Sequence, residues 1–366
     1  MSAVGDYARD YAEARQKFRT AAKSAGASLR SHTNPKAKGP KGEELTTDVA
    51  LLGKPSARRW LYTQSATHGV EGFCGSGCQI GWLGSGAAKR LPDDVGVVMV
   101  HAINPYGFAW LRRVTEDNVD LNRNCIDHNG ERPRNPDYAT LHDALVPEHW
   151  DDASLRLADA TLEAYLEEHG PAQFQIAVSA GQYDRADGLF FGGVVPTWSN
   201  STMRQIVAEH LSGASHVASI DFHTGLGPYA YGEPIAPYQP ESSEYKEAIQ
   251  WYGDSVASPF AGNSTSVHGV RMKGSIHEAI LESAPKAKHL HIAIEYGTMP
   301  TTYVMRALRA DNWLHLRGDP ASKQGREIKA MVRNAFYRDE DDWKELVSLR
   351  AQLLMARAVK GLAKAA

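Results

Sequence analysis

The chain has 366 residues, of which 42% are hydrophobic and 23% are charged, as is ordinary for a soluble globular enzyme of one large or two smaller domains. Forty Lys and Arg against 43 Asp and Glu leave a formal net charge of -3, which indicates neither a nucleic-acid nor a membrane-surface partner. No run approaches the ~20 apolar residues that cross a bilayer, and the charged N-terminus is not typical of a secretory signal. Because three cysteines are too few for a disulfide framework, we expect a cytoplasmic protein.

The N-terminal segment, residues 1–45, predicts a helix followed by an exposed loop, both packed on a main domain. Apolar residues recur at helical spacing within the first ~27 positions, and residues 34–42 are rich in lysine and glycine. The main domain is predicted to cover residues 46–320. The segment 321–366 is expected to be helical, with a charged break at residues 338–342.

In the main domain, short apolar runs ending in Gly, Pro or Asn alternate with longer helical segments. The runs cover residues 59–64, 95–103, 174–179, 216–222 and 289–294. Strands separated by helices predict an α/β sheet that is covered by helices on both faces.

Polar residues follow four of these runs. His68 and Glu71 follow the first run, Asn104 the second, His223 the fourth and Glu295 the fifth. Open α/β sheets bind ligands in the crevice beyond the carboxyl ends of their strands. The pattern therefore predicts one site at one edge of the sheet.

Two histidines and one carboxylate are the ligand set of a catalytic zinc ion, which keeps a fourth position open for water. His68 and Glu71 lie three apart in Thr-His-Gly-Val-Glu-Gly, a spacing that points both side chains to one side of a tight turn. His223, in Asp-Phe-His-Thr-Gly, would supply the third ligand. The alternative is that His68 and Glu71 cap a helix and His223 is a hydrogen-bonded core residue. The convergence of strand ends favours a metal-dependent hydrolase.

Glu295 follows a strand that is too apolar to expose a carboxylate without a reason. A carboxylate at the mouth of a metal cleft can act as general base on metal-bound water. The alternative role is that of a salt-bridged carboxylate at a strand end. His289 and His291 lie on the same strand and are interpreted as core or surface histidines.

Five motifs, from His68 to Glu295, follow one another in an order that resembles the zinc carboxypeptidases of the carboxypeptidase A type. That superfamily also includes the succinylglutamate desuccinylases and aspartoacylases. The resemblance covers residues 60–297 and is closest to an uncharacterised bacterial branch. It implies one large domain with a mixed, mainly parallel twisted sheet of about eight strands between helices. The matching motifs are His68 to Glu71, Asn104-Pro105-Tyr106-Gly107, Asn122-Arg123, His223 and Glu295.

The resemblance also implies a function. His68, Glu71 and His223 would hold one Zn²⁺ per chain, and Glu295 would be the general base. The enzyme would be a carboxypeptidase-like metallopeptidase that cleaves an amide bond beside a free carboxylate. The alternatives are a deacylase of N-acyl amino acids in the same superfamily and, more remotely, a silent binding protein on the same fold.

For the substrate, the resemblance implies that Arg113 stabilises the oxyanion, although the sequence does not decide between Arg113 and Arg112. Asn122 and Arg123 would bind the substrate carboxylate, since a guanidinium matches a carboxylate with two parallel hydrogen bonds.

The chain differs from the peptidases in one respect. The peptidases place a mobile tyrosine upstream of the catalytic glutamate, whereas residues 264–282 of this chain contain no tyrosine. The deacylase branches also lack that arrangement, so this difference keeps a deacylase as an alternative to a peptidase. The residues that could occupy the space of this tyrosine are His268, Arg271, Lys273 and His277.

Asp221 is interpreted either as a partner that orients a metal ligand or as a strand-end cap.

Other segments support fewer conclusions. The glycine- and aromatic-rich stretch 181–193 is either a wall of the substrate cleft or a packed surface loop. Cys74 and Cys78 are interpreted as small core residues. Gly75-Ser76-Gly77 does not stand in the strand–turn–helix register of a dinucleotide loop, and no Gly-x-Ser-x-Gly elbow supports a serine hydrolase.

Overall fold

The computed structural model describes residues 3–266 and 273–365, which form helices around one seven-stranded sheet. The strands are β1 (Ser28–Lys38), β2 (Glu44–Leu52), β3 (Arg59–Gln64), β4 (Val95–His101), β5 (His216–Tyr229), β6 (Glu233–Ile235) and β7 (Lys288–Gly297). The helices are α1 (Tyr11–Ser24), α2 (Gly72–Gly84), α3 (Pro105–Ala109), α4 (Leu121–Asn124), α5 (Pro136–Leu145), α6 (Asp152–Ser179), α7 (Trp198–Leu211), α8 (Ser243–Tyr252), α9 (Ile276–Ser283), α10 (Thr301–Arg317), α11 (Lys323–Phe336) and α12 (Asp341–Lys364).

The strand order is β1-β2-β4-β3-β5-β7-β6. The four strands β4, β3, β5 and β7 run parallel, whereas β1, β2 and β6 are joined to the sheet by antiparallel pairs. The predicted α/β class with a mixed sheet is confirmed, with seven strands in the described residues where about eight were expected. From β3 the chain crosses to β4 on one side and later to β5 on the other, which makes the end of β3 the switch point of the sheet.

Apolar side chains cover both faces of the sheet, as predicted. Leu61 and Ile220 belong to the core beneath α1, α2, α8, α10, α11 and α12. On the same two strands, Tyr62 and Val217, which lie one and three residues from them, belong to a second core beneath α4, α7 and α9. Successive residues of a strand point to opposite faces, so each central strand serves both cores.

The predicted N-terminal helix is present as α1. The carboxylate of Asp10 accepts a hydrogen bond from the backbone N–H of Glu13 and so caps its first turn. Phe18 on its inner face is fully buried and stacks on the His101 ring, with the ring centres 4.5 Å apart. This contact packs α1 against the sheet.

The exposed loop predicted for residues 34–42 is wrong over its first half. Residues 34–38 form the end of β1, and the turn comes only after Lys38. β1 is an edge strand that pairs only with β2 in the part of the chain described, and most of its side chains are exposed. Edge strands use charged residues and tolerate proline, here Pro35, which explains the loop-like composition.

The strand predicted for residues 174–179 is also wrong, because these residues form the last turns of α6. Gly170, at a φ of 78°, interrupts this helix, and Pro171 starts its second part. Ala177 and Val178 are buried against the core. A short apolar run gives the same signal in a buried strand and in a buried helix.

The two C-terminal helices are separated at the predicted charged break, since α11 ends at Phe336 and α12 begins at Asp341. Trp343 anchors α12 by donating its indole N–H to the carbonyl of Gly297 at the end of β7, at 2.9 Å. In the described ranges, the model contains no helix with the length and apolarity that crossing a membrane requires.

Candidate metal centre

Backbone hydrogen bonds fix the turn after β3 against the segment that follows β4 and α3. Gly69 N–H donates to the carbonyl of Arg113 at 3.1 Å, and Val70 N–H to that of Arg112 at 2.9 Å. A Cβ added to Gly69 would lie 2.1 Å from the backbone carbon of Gly107, so only glycine permits this approach. Ala66, just before the turn, has a φ of 60°, a strained conformation for alanine. The backbone is therefore fixed on both sides of residues 67–71.

His223 and Glu295 are direct neighbours on parallel strands. The predicted runs end at residues 222 and 294, but β5 and β7 continue beyond the end of β3 and pair His223 with Glu295 in register. Neighbours in register project from the same face of a sheet, so both side chains face the turn after β3.

The structure brings the three predicted metal ligands together. His68 Nδ1 lies 2.9 Å from Glu71 Oε1, His223 Nδ1 lies 3.0 Å from Glu71 Oε2, and the two Nδ1 atoms are 3.2 Å apart. Ligands about 2.05 Å from a tetrahedral zinc ion would be about 3.3 Å from one another. The donor set and its spacing fit zinc. In residues 3–266 and 273–365, no other three His, Cys, Asp or Glu side chains form such a group.

Buried charge holds this cluster together. Burial opposes ionisation of Glu71, but the charge of His68 and hydrogen bonds from both histidines lower its pKa to about 2. Burial likewise opposes protonation of His223, yet the carboxylates of Asp221 and Glu71 raise its pKa well above the usual value. Glu71 and Asp221 thus place negative charge beside the two histidines, which suits a bound cation.

Asp221 orients His223, which decides between its two predicted roles in favour of the orienting one. Its carboxylate accepts a hydrogen bond from His223 Nε2 at 2.7 Å, which leaves Nδ1 to face the other ligands. Thr67 donates its hydroxyl to the same carboxylate, at 2.7 and 2.9 Å from the two oxygens. Behind it, Gln64 Nε2 donates to the Thr67 hydroxyl at 2.7 Å, and Tyr62 donates to Gln64 Oε1 at 2.6 Å.

This buried chain of hydrogen bonds, from Tyr62 through Gln64 and Thr67 to Asp221, has one direction. The single hydroxyl proton of Thr67 goes to the carboxylate, so its oxygen accepts from the Gln64 amide, whose oxygen in turn accepts from Tyr62. Sequence analysis missed Thr67, although it stands directly before His68 at the end of a buried strand.

Arg113, not Arg112, faces the site. Arg113 Nη2 lies 2.8 Å from His68 Nε2, and its Nη1 lies 3.4 Å from Glu71 Oε1. Arg112 instead forms a buried ion pair with Asp311 at 2.9 Å. The structure thus separates two arginines that the sequence left equivalent.

Asp120 is a further site residue that sequence analysis missed. It accepts from Arg113 Nε at 2.9 Å and lies 3.4 Å from His68 Nε2. Burial alone would raise the pKa of Asp120, but the charges of Arg113 and Arg123 hold it well below its usual range. The available signal was its place two residues before Asn122, where its carboxylate also caps α4.

Glu295 lies beside the predicted ligand His223 but is not part of the ligand group. Leu226 N–H donates to its Oε1 at 3.1 Å, and the residue is partly exposed. Burial and the negative charge of Glu71 raise the pKa of Glu295 to about 8. A carboxyl group with such a pKa can accept and return a proton near neutral pH.

Asn122 and Arg123 lie deeper than expected. The side-chain oxygen Oδ1 of Asn122 accepts a hydrogen bond from Ile276 N–H at 3.0 Å, which ties α4 to α9. Arg123 is 3% exposed and donates to the backbone carbonyls of Asn122 and Ser179, while its Nε has no partner among the described residues. Phe190 packs on both Arg113 and Arg123, with its ring centre 5.3 and 5.7 Å from their guanidinium carbons.

The glycine- and aromatic-rich stretch 181–193 therefore contacts two predicted site residues, Arg113 and Arg123. Phe190 has a φ of 52° and is buried. The backbone carbonyl of its neighbour Phe191 accepts a hydrogen bond from the backbone N–H of Asp120 at 2.8 Å. This contact supports the cleft-wall interpretation over that of a surface loop.

The two histidines of β7 are buried in the core, one of the two positions expected for them. His291 contacts the Ser219 hydroxyl at 2.8 Å and stacks on His277, while His289 contacts the carbonyl of Ala284. Of the residues considered for the space of the absent tyrosine, Lys273 is exposed. His268 and Arg271 lie outside the described residues.

The remaining predicted features of α2 belong to the core. Cys74 and Cys78 are buried thiols without disulfides. Gly75, considered for a dinucleotide loop, lies inside α2, where a Cβ would come within 2.6 Å of Ser65. The glycine permits close packing of helix on strand.

Comparison with known proteins places the chain in a family. The family model described as "Protein of unknown function (DUF2817)" matches residues 7–350. The chain belongs to this family. A comparison of this DUF2817 sequence with curated proteins finds no match.

Solved structures confirm the fold of the DUF2817 chain. Carboxypeptidase A from Helicoverpa armigera is similar with a TM-score of 0.53 and 14% identity, over 99% of this chain and 75% of that one. Thrombin activatable fibrinolysis inhibitor is similar with a TM-score of 0.50 and 10% identity, over 98% of this chain and 75% of that one. The resemblance to zinc carboxypeptidases is thereby confirmed at the level of the fold.

Proposed function

We propose that this protein is a zinc-dependent hydrolase that cleaves an amide bond beside a free carboxylate, as a carboxypeptidase-like metallopeptidase. One observation carries the proposal: the ligand atoms of His68, Glu71 and His223 converge within 4.8 Å of one another beside Glu295. A structural metal site closes its coordination sphere with a fourth protein ligand, whereas three ligands with a nearby base are typical of a catalytic site.

The residues around the ligands have separate tasks. Zinc bound there would polarise the scissile carbonyl and lower the pKa of water. Glu295 takes the proton of the attacking water and passes it to the leaving nitrogen. Arg113 donates hydrogen bonds to the carbonyl oxygen as negative charge develops on it. Asp221 holds His223 in the orientation that presents Nδ1. Asp120, 3.4 Å from His68 Nε2, would do the same for His68 when that nitrogen carries the proton.

Arg123, with Asn122, is the proposed anchor for the substrate carboxylate. Its buried guanidinium is weakly screened by water, so an ion pair formed there is strong. Because Arg123 is 3% exposed, a carboxylate reaches it only when the side chains around it shift. Phe190, which packs on both guanidinium groups, is the side chain that must move.

A deacylase of N-acyl amino acids is the second candidate, and a specific observation favours it. Residues 264–282 contain no tyrosine to cover a bound peptide. Both candidates use the same zinc chemistry and the same carboxylate anchor, and they differ in the acyl group of the substrate.

The first test concerns metal and base. Purified protein is expected to contain about one zinc per chain, and chelation should abolish hydrolysis. Glu295→Gln should abolish turnover while zinc stays bound, because the amide cannot accept the proton. Zinc content is measured by elemental analysis and turnover with short peptides and N-acyl amino acids. A chain without zinc after metal-replete expression, or an active Glu295→Gln variant, contradicts the proposal.

The second test concerns the anchor. Arg123→Ala should lower kcat/KM for substrates with a free carboxylate by about 100-fold, as expected for the loss of a charge-assisted pair of about 3 kcal/mol. The matched amidated substrates serve as the control and should change little. Equal losses for both substrates would show that Arg123 has a structural task only.

A further inference from the structure

The outer face of α12 carries an apolar stripe that stays exposed among residues 3–266 and 273–365. Leu346, Leu349 and Leu353 are 50%, 70% and 42% exposed. The opposite face of the same helix is buried, with Trp343 and Val347 in the core. A contiguous exposed apolar stripe on a soluble protein is typical of an interaction surface.

The stripe has the spacing of a coiled-coil seam. Six exposed positions of α12 follow one another at intervals of 4, 3, 4, 3 and 4 residues, and at 3.6 residues per turn they fall within an arc of about 80°. Alternating intervals of three and four are those at which one helix packs along another. The six are Asp342, Leu346, Leu349, Leu353, Ala356 and Lys360.

This seam is self-complementary in one orientation. If two copies of α12 pair antiparallel about residue 351, each Asp342 lies beside the partner's Lys360. Leu349 then lies beside the partner's Leu353, and Leu346 beside the partner's Ala356. A parallel pair would instead place Asp342 beside Asp342 and Lys360 beside Lys360, which like charges oppose.

We propose that α12 is a self-association surface through which two copies of this chain form an antiparallel, two-fold symmetric dimer. The same patch then serves both subunits, as in an isologous interface. The stripe is about 27 Å long, and a single helix pair buries less than the roughly 800 Å² per partner of a standard interface. The dimer is therefore expected to be reversible and concentration-dependent.

The first test measures mass in solution. Sedimentation equilibrium of the full chain should show a concentration-dependent shift from monomer to dimer. Leu349→Asp should abolish the shift, because it places a carboxylate in the centre of the seam. Leu157→Asp is the matched control, since Leu157 on α6 is 74% exposed and lies off the stripe. A wild type that stays monomeric, a dimeric Leu349→Asp variant, or equal loss in both variants would overturn the proposal.

The second test fixes the orientation. Asp342→Lys and Lys360→Asp should each weaken the dimer, raising its Kd about tenfold because two equivalent pairs become repulsive. The double variant should restore the wild-type Kd. Asp342 also accepts a hydrogen bond from Tyr229 at 3.1 Å, so thermal denaturation of each variant checks the fold. A double variant weaker than both single variants contradicts the antiparallel arrangement.

Discussion

Replacing Thr67 with valine tests whether the buried hydrogen-bond chain behind the metal site supports metal binding. Valine has nearly the shape of threonine but cannot donate to Asp221 or accept from Gln64. The substitution therefore removes the hydroxyl donor of a buried carboxylate that itself orients His223.

The magnitude follows from what the substitution leaves behind. A hydrogen bond to a charged group contributes about 1.5–3 kcal/mol, and a buried amide donor without a partner costs about 1–3 kcal/mol. Thr67→Val should lower the free energy of unfolding of the metal-free protein by about 3–5 kcal/mol. Loss of an outer partner of a metal ligand typically weakens metal binding by about 10–100-fold, and we expect zinc affinity to fall in that range.

Two assays check these values: urea denaturation of the metal-free protein, and zinc affinity by chelator competition. Thr67→Ser keeps the hydroxyl and should retain most of the affinity. Thr115→Val is the matched control, because the Thr115 hydroxyl is buried without a hydrogen-bond partner in the described structure. If Thr67→Val changes neither quantity more than Thr115→Val does, the chain does not support the site.

Two further predictions concern pH and the turn after β3. With the pKa of Glu295 raised to about 8, the folded metal-free protein binds a proton that the unfolded chain loses above about pH 4.5, so its stability should fall as pH rises from about 4.5 to 8. The loss is at most a few kcal/mol, because the carboxyl is partly exposed; Glu295→Gln should flatten this part of the curve, and an unchanged curve would mean the pKa is ordinary. Gly69→Ala would place a methyl group 2.1 Å from the Gly107 backbone, which should cost about 1–3 kcal/mol and displace His68 and Glu71. Denaturation and zinc titration measure both effects, and full zinc affinity in Gly69→Ala would show that the turn is not so constrained.

The sequence predicts the centre of this fold better than its edges. The run at residues 59–64 corresponds to β3 without change, because it is buried on both faces and ends in a turn. The sequence does not predict β1, because β1 is an edge strand with no strand beside it on one side. Such a strand needs neither an alternation of apolar and polar residues nor a high apolar content. Residues 174–179 mislead because a buried helix end and a buried strand share the same short apolar run.

For the candidate site, the sequence supplies the predicted ligands and the predicted base but not the residues that support them. His68 and Glu71 follow the end of β3, and His223 lies on the adjacent strand β5, so topology alone brings them together. Arg112 and Arg113 are adjacent and chemically identical, so only the direction of each side chain assigns one to Asp311 and the other to the site. Thr67 and Asp120 act through hydrogen bonds across the fold, a relation that no local spacing encodes.

The arrangement of charge explains why these supports matter. Asp221 and Glu71 both contact His223 and raise its pKa, so in the metal-free protein they draw a proton to the cluster. A divalent cation at the same point would satisfy the same carboxylates while both histidines stay neutral. The negative charge that favours the proton would therefore also favour a metal ion. It comes from the predicted ligand Glu71 and also from Asp221, which is not one of the three predicted ligands.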